Sequence, residues 1–312
     1  MVAVRALAES DLPEAQRIIR DAFGTFLGVP ELETFRFPPY AHTRFGAEHI
    51  ASFAAERDGA LLGSNFAINW GSVGFFGPLS IRPDLWDAGI GQRLVAAACD
   101  AFEGWGIRHA GLFTFAQSAK HVGLYGKFGF HPRFLTAIMT KPAWLTETRL
   151  KWSGYSALPE GQRAEAEIAT RELTETLYDG LDLRAEIRTV FARRLGDTVL
   201  LWDGDNRLAG FAICHCGPES EGGEGACFVK FGAVRPGSGA EERFAILLDA
   251  CAALAVSAGM TIVVAGVNTA REEAYRAMLG RGFRTQIQGV TMHRPNESGY
   301  SRPGLFVLDD WR

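Results

Sequence analysis

The stretch Leu79-Ser80-Ile81-Arg82-Pro83-Asp84-Leu85-Trp86-Asp87-Ala88-Gly89-Ile90-Gly91-Gln92-Arg93-Leu94 decides how the rest of the chain is read. An apolar run stops at Pro83, which cannot donate to a sheet ladder, and after a short turn an amphipathic helix opens near Gly89. Glycines at that point let a ligand approach the backbone, and a helix N-terminus presents unpaired N–H groups with partial positive charge. The pattern therefore predicts an anion site suited to a pyrophosphate, although glycines that merely start a helix would look the same. A dinucleotide-binding fold would need a third glycine where Leu94 stands, and an acidic residue closing the next strand about twenty residues on. His109-Ala110-Gly111-Leu112-Phe113 ends without one, so that fold is disfavoured.

Working outward, Ser118 to Phe130 reads as a helix carrying Tyr125, a glycine stop at Gly129 and a following strand. The same landmarks return later in the chain. Ser80-Ile81-Arg82-Pro83 and Ala233-Val234-Arg235-Pro236 each end an apolar run, 153 positions apart. That offset also links Gly106 with Gly259, Gly129-Phe130 with Gly282-Phe283, Met139 with Met292 and Pro142 with Pro295. Upstream, Gly63 and Gly210 are 147 apart, and the six extra residues fit the acidic, Gly-rich loop Gly217 to Gly225. Each half reads strand, helices, a hairpin at Asp58-Gly59 or Asp203-Gly204, a strand ending in Arg-Pro, helix, strand, helix, strand. Two domains are expected, 1–147 and 148–312, with the break in Lys141 to Leu158 where Pro142, Gly154 and Pro159 interrupt the periodicity. The class is α/β, a mixed (α+β type) sheet covered by helices.

Composition bounds the function. With 47% hydrophobic and 22% charged residues the chain has the profile of a soluble globular protein, and a net charge of −4 without a Lys/Arg cluster argues against nucleic acid as a partner. Arg5, Glu9 and Asp11 interrupt the first residues, unlike a secretory signal. Ala250 to Asn268 carries no charge, but Gly259-Met260-Thr261 divides an Ala-rich helical half from the β-branched Ile262-Val263-Val264, so a buried helix and strand are expected there and no membrane span. Cys214-His215-Cys216 resembles a metal fragment. Strand alternation would put the two thiols on one face and His215 on the other, and no second ligand pair follows. With Cys99, Cys227 and Cys251 these read as free thiols in a reducing cytoplasm, with no metal.

Trp86-x-x-Gly89-x-Gly91 after a strand, followed by Tyr125-x-x-x-Gly129-Phe130, resembles the GNAT superfamily of N-acetyltransferases, whose pyrophosphate loop reads Gln/Arg-x-x-Gly-x-Gly/Ala and whose later helix ends Tyr-x-x-x-Gly-Phe. The resemblance covers residues 1 to 142 directly and the second half through the repeat, which implies two GNAT-like acyl-CoA folds in tandem. It further implies acetyl-CoA as acyl donor. Backbone groups of Leu79 and Ile81 would hold the thioester carbonyl and pantetheine arm, and N–H groups of Trp86, Asp87, Ala88, Gly89, Ile90 and Gly91 the pyrophosphate. Tyr125 would protonate the departing CoA thiolate, unless it is a packing residue with its hydroxyl satisfied by backbone.

The sequence departs from the family pattern at three places. Trp86 replaces the usual Gln/Arg, Ser118 stands where Asn is common, and Phe75 occupies the position near which a carboxylate base is found in some members. The base is left open among a water chain, His121 and Glu33, with His121 better suited to lining the cofactor channel. The segment Phe26 to Phe53 should form the acceptor side. Its Phe35, Phe37, Pro38, Pro39, Tyr40 and Phe45, interleaved with Arg36, His42 and Arg44, are either an aromatic pocket or ordinary core.

At the offset of 153, Gly89, Gly91 and Tyr125 correspond to Glu242, Phe244 and Met278, so the second copy reads as degenerate; sliding the frame to Gly237-Ser238-Gly239 would need a compensating gap. The expected activity is transfer of an acetyl group from acetyl-CoA to a primary amine of a small molecule or peptide, by a cytoplasmic protein that could pair as a homodimer. The competing reading is a non-catalytic acyl-CoA-binding or scaffolding protein.

Overall fold

The computed structural model describes residues 1–144, 152–205 and 207–312. The expected break at 147/148 lies outside the described residues. The first half runs β1 (Ala3–Ala6), α1 (Leu12–Leu27), α2 (Tyr40–Arg44), β2 (Ile50–Arg57), β3 (Ala60–Trp70), β4 (Val73–Phe76), β5 (Ser80–Ile81), α3 (Ile90–Gly104), β6 (His109–Thr114), α4 (Ala119–Gly126) and β7 (His131–Pro142). The second runs β8 (Trp152–Gly154), α5 (Glu160–Glu175), α6 (Arg184–Ala192), β9 (Gly196–Trp202), β10 (Leu208–Gly217), β11 (Gly223–Val234), α7 (Ala240–Ser257), β12 (Ile262–Asn268), α8 (Glu272–Gly280), β13 (Arg284–Arg294) and β14 (Val307–Leu308). The uncharged stretch from Ala250 thus divides into the end of α7 and β12, and no helix is long and apolar enough to cross a membrane among the described residues.

The two halves share one sheet, ordered β1-β2-β3-β4-β6-β13-β7-β12-β11-β10-β9-β8. Its middle is an exchange: β13, from the end of the chain, inserts between β6 and β7, and β7 in turn pairs with β12. The register obeys the repeat. Val290 faces Thr114 and Met292 faces Leu112, while Ala137 faces Val267 and Met139 faces Ala265, each pair being the other shifted by 153. Upstream, Gly63 pairs with Ile81 as Gly210 pairs with Val234, the offsets of 147 and 153 meeting across one ladder. A Cβ at Gly63 would collide with the Ser80 carbonyl, and one at Gly210 would lie 2.7 Å from the Val234 side chain, so both glycines are required by the close approach of the strand that follows.

Apolar spacing explains the layers. In α3, Ile90, Leu94, Val95, Ala98, Cys99 and Phe102 form one buried stripe. It packs with Tyr125 and Phe130 over the first half of the sheet, while α7 and α8 cover the second. The opposite face carries α1, α5 and α6 over a core common to both halves, where Trp70 meets Phe231 edge-on at 5.6 Å. Cys214 and His215 alternate as expected: the thiol faces the Cys251 sulfur at 4.0 Å in the α7 core, and the imidazole faces Glu186 on the other side.

Candidate active site

Between α1, α3, α4 and the splayed end of β4 and β5 lies a cavity of about 720 Å³. Its floor forms because the chain breaks from β4 at Gly77-Pro78 and rejoins β3 only at Ser80-Ile81. Leu79, Ile81, Trp86, Asp87, Gly89, Ile90, Gly91 and Tyr125 all line it. Ala88 is the exception among the expected site residues, lying exposed outside the lining.

The end of the cavity at the start of α3 is built from backbone. Gly89 caps α3 at φ 75°, a left-handed conformation natural to glycine, and no side chain caps the helix. Gly89, Ile90, Gly91 and Gln92, at the helix start where N–H groups lack an intrahelical partner, all line the cavity. Trp86 turns its Nε1 toward the strand, donating to the Ile81 carbonyl at 3.0 Å, which pins the loop to β5. Lys120 pairs with Asp87 at 2.8 Å and sits 5.4 Å over the Trp86 ring, restoring a cation at the mouth.

Tyr125 is buried, and burial pushes its phenol well above the ordinary value with no charged neighbour contributing. It is held protonated, with its ring 5.7 Å from Phe76. His121 also lines the cavity, and burial, aided by Lys120, lowers its pKa below the usual imidazole range. The candidate base Glu33 is exposed and off the cavity, and Phe75 is buried against Trp70.

Of the expected acceptor segment, Phe26, Phe37, Pro38 and Tyr40 line the cavity, whereas Phe35, Pro39, Phe45, Arg36, His42 and Arg44 do not. Arg44 has a different place. Fully buried, it is held bidentate by Glu221 at 2.8 and 3.0 Å and donates to the carbonyls of Gly77 and Arg312. Burial alone would raise the Glu221 carboxyl, but Arg44 and Lys230 hold it below the usual range. Lys230 bridges on to Glu186, which also takes bonds from His49 and Trp70, so a buried chain of paired charges joins the two halves. Phe23, Phe113, Phe115, Ile287, Trp311 and Arg312 also line the cavity; the last three come from beyond residue 280 and carried no local signal in the sequence.

The second copy departs from the first at each of these features. The shared offset fails at the helix start: Gly239, at φ 75°, is the counterpart of Gly89, not Glu242. Three residues separate Pro236 from α7 where six separate Pro83 from α3, and α7 is 18 residues against 15. Glu242 and Phe244 therefore stand inside the helix, because the loop was shortened and the helix extended by the same amount. The splay beside β11 is filled by the chain itself. β14 pairs Leu308 with Gly232 and Val307 with Ala233, the Val234 N–H donates to the Phe306 carbonyl at 3.3 Å, and Phe306 packs on Phe244 at 5.3 Å. Met278 is fully buried at the position of Tyr125.

Residues 13–130 match the family model for the acetyltransferase (GNAT) family. No curated protein matches the sequence. Among solved structures, an assigned acetyltransferase from Pyrococcus horikoshii superposes with TM-score 0.67 at 12% identity over 98% of this chain and 93% of that one. A GCN5-related N-acetyltransferase from Sphaerobacter thermophilus gives 0.61 at 16%, over 94% and 95%. A tandem GNAT protein from the clavulanic acid biosynthesis pathway gives 0.57 at 14%, over 94% and 98%. At these identities the likeness is one of fold, and that fold is the tandem GNAT arrangement.

Proposed function

We propose that this protein is an acetyl-CoA-dependent N-acetyltransferase acting on a primary amine, with one active site in the half spanning residues 1–147 and a degenerate second half, 148–312. The observation that carries this reading is that one cavity holds three parts: an uncapped helix N-terminus, a splayed strand and a buried, protonated phenol. First-turn amides of α3 would take the pyrophosphate, and backbone groups of Leu79 and Ile81 the pantetheine and thioester. Among the described residues no group of three or more His, Cys, Asp or Glu side chains could hold a metal ion, and none is called on in the reaction.

The amine nitrogen attacks the thioester carbonyl, a C–N bond forms, and the C–S bond breaks as the Tyr125 phenol gives its proton to the leaving thiolate. The proton lost by the amine returns to the phenolate through solvent or His121, leaving an N-acetyl amine and CoA. The filled splay beside β11 supports a single site per chain.

Incubation with acetyl-CoA and a panel of amines, followed by free-thiol release, tests the activity. Release that depends on both the amine and Tyr125 is the expected result. Tight acetyl-CoA binding without release for any amine would leave a non-catalytic acyl-CoA-binding protein instead.

A further inference from the structure

We propose that the segment ending in Trp311-Arg312 forms a wall of the acceptor pocket and selects a monoamine carried on an aromatic or bulky apolar frame. This rests on the transferase reading above and extends it to the substrate. Trp311 lines the cavity while its ring is fixed from behind. Its Nε1 donates to the Tyr300 hydroxyl at 2.8 Å, and its ring packs on His293 at 4.8 Å. A Cβ at Gly111 would fall inside that ring, so the glycine on β6 exists to admit it.

The backbone at Trp311 has φ 53°, unusual for a bulky residue, and it persists because the chain is tied down on either side of it. Asp309 pairs with buried Arg271, and the Arg312 carbonyl accepts from Arg44 at 2.7 Å. The same Arg44 holds the Gly77 carbonyl where β4 splays, so one guanidinium fixes the segment against the catalytic opening.

The lining states what this wall faces. Phe23, Phe37, Tyr40, Phe113 and Phe115 stand with Trp311 around the cavity. Among the described residues lining it, the only carboxylate is Asp87, which is already paired with Lys120. The remaining charged groups are cations, which favour the phosphates of the donor and oppose a polycationic acceptor. An apolar wall also disfavours the protonated amine, and the neutral amine is the nucleophile.

The test compares 2-phenylethylamine, hexylamine and spermidine at saturating acetyl-CoA, for wild type, Trp311→Ala and Phe37→Leu. In parallel, calorimetry measures binding of each amine to the protein saturated with CoA. Expected are a preference for 2-phenylethylamine, the weakest response to spermidine, and a rise of roughly 30-fold in KM or Kd for 2-phenylethylamine in Trp311→Ala, the effect of truncating one buried aromatic anchor. The Kd for acetyl-CoA should stay unchanged. Phe37 is half-buried, so Phe37→Leu should fold and shift the same preference should Trp311→Ala fail to fold. Binding of 2-phenylethylamine that depends on Trp311 or Phe37, without acetylation of any amine, would sink the transferase reading and keep the acceptor assignment. Acetylation that prefers spermidine, or is indifferent to both variants, would sink the assignment and keep the transferase.

Discussion

Gly91 offers the sharpest test of the anion loop, because bulk and charge can be separated there. A Cβ built on it would lie 3.4 Å from the Ile81 and 3.5 Å from the Leu124 side chains, ordinary contact distances, so Gly91→Ala should fold and bind acetyl-CoA nearly normally. Gly91→Gln adds length without charge, and Gly91→Glu adds the charge. A carboxylate about 5 Å from a phosphate charge, at an effective dielectric of about 20, costs about 3 kcal/mol. Halving this for the exposure of the loop and counting two phosphate charges again gives about 3 kcal/mol, a loss on the order of 100-fold in affinity. The carboxylate would meanwhile stabilise the ligand-free helix by about 0.3–1 kcal/mol through its dipole, so the variant should be at least as stable as wild type. Calorimetric titration should show one site per chain, weakened in the order Ala, Gln, Glu, with the Gln-to-Glu gap shrinking in high salt. Equal dissociation constants for Gln and Glu would refute the placement of the pyrophosphate. A second, unaffected site would mean that β14 does not exclude cofactor from the other copy.

Tyr125→Phe should lower kcat by about 10²–10⁴-fold with little change in acetyl-CoA affinity; full turnover in steady-state assays would make the phenol a packing group. Glu221→Leu leaves Arg44 and Lys230 buried without their shared carboxylate and should cost about 3–5 kcal/mol in urea denaturation, against near-neutral change if the network is ornamental. His109 and His293, bonded across the exchanged strands at 2.9 Å, are lowered to about 4 and about 3 chiefly by burial. Both are neutral in the folded state, while the unfolded chain takes up protons below about pH 6.5. Their contribution is therefore complete above that pH and falls by up to about 1.4 kcal/mol per pH unit for each as the solution is acidified toward pH 4 and then 3. Denaturation at pH 7 and pH 5 should show the drop, and His293→Gln should reduce it.

The fold was legible where sequence landmarks report backbone constraints. Gly63 and Gly210, Gly129 and Gly282, and the Arg-Pro pairs mark strand approaches and helix stops that any sequence of this fold must meet, and the register confirms their offsets. The loop after Pro236 was misaligned because a three-residue deletion there is cancelled by three added helical residues, so downstream landmarks carry no trace of it. The aromatic segment was half legible. Alternating Phe, Pro and Arg cannot tell a cavity wall from core, and only folding shows that Phe37 and Tyr40 face the cavity while Arg44 binds Glu221. Trp311 and Ile287 were invisible as site residues since their role depends on a strand exchange that no local pattern encodes.

That exchange sets a clock on biosynthesis. The edge of β6 lacks its β13 partner until β13 has emerged, and the cavity lacks Trp311 until residue 311 has followed. At synthesis rates of about 5–20 residues per second, the interval between the end of β7 at Pro142 and the end of β13 at Arg294 is roughly 8–30 s, during which a nascent chain carries an open strand edge and an unfinished pocket. A chain cut between the repeats would have to bring β13 back to β6 and β7 as a separate fragment before the sheet and the cavity are complete.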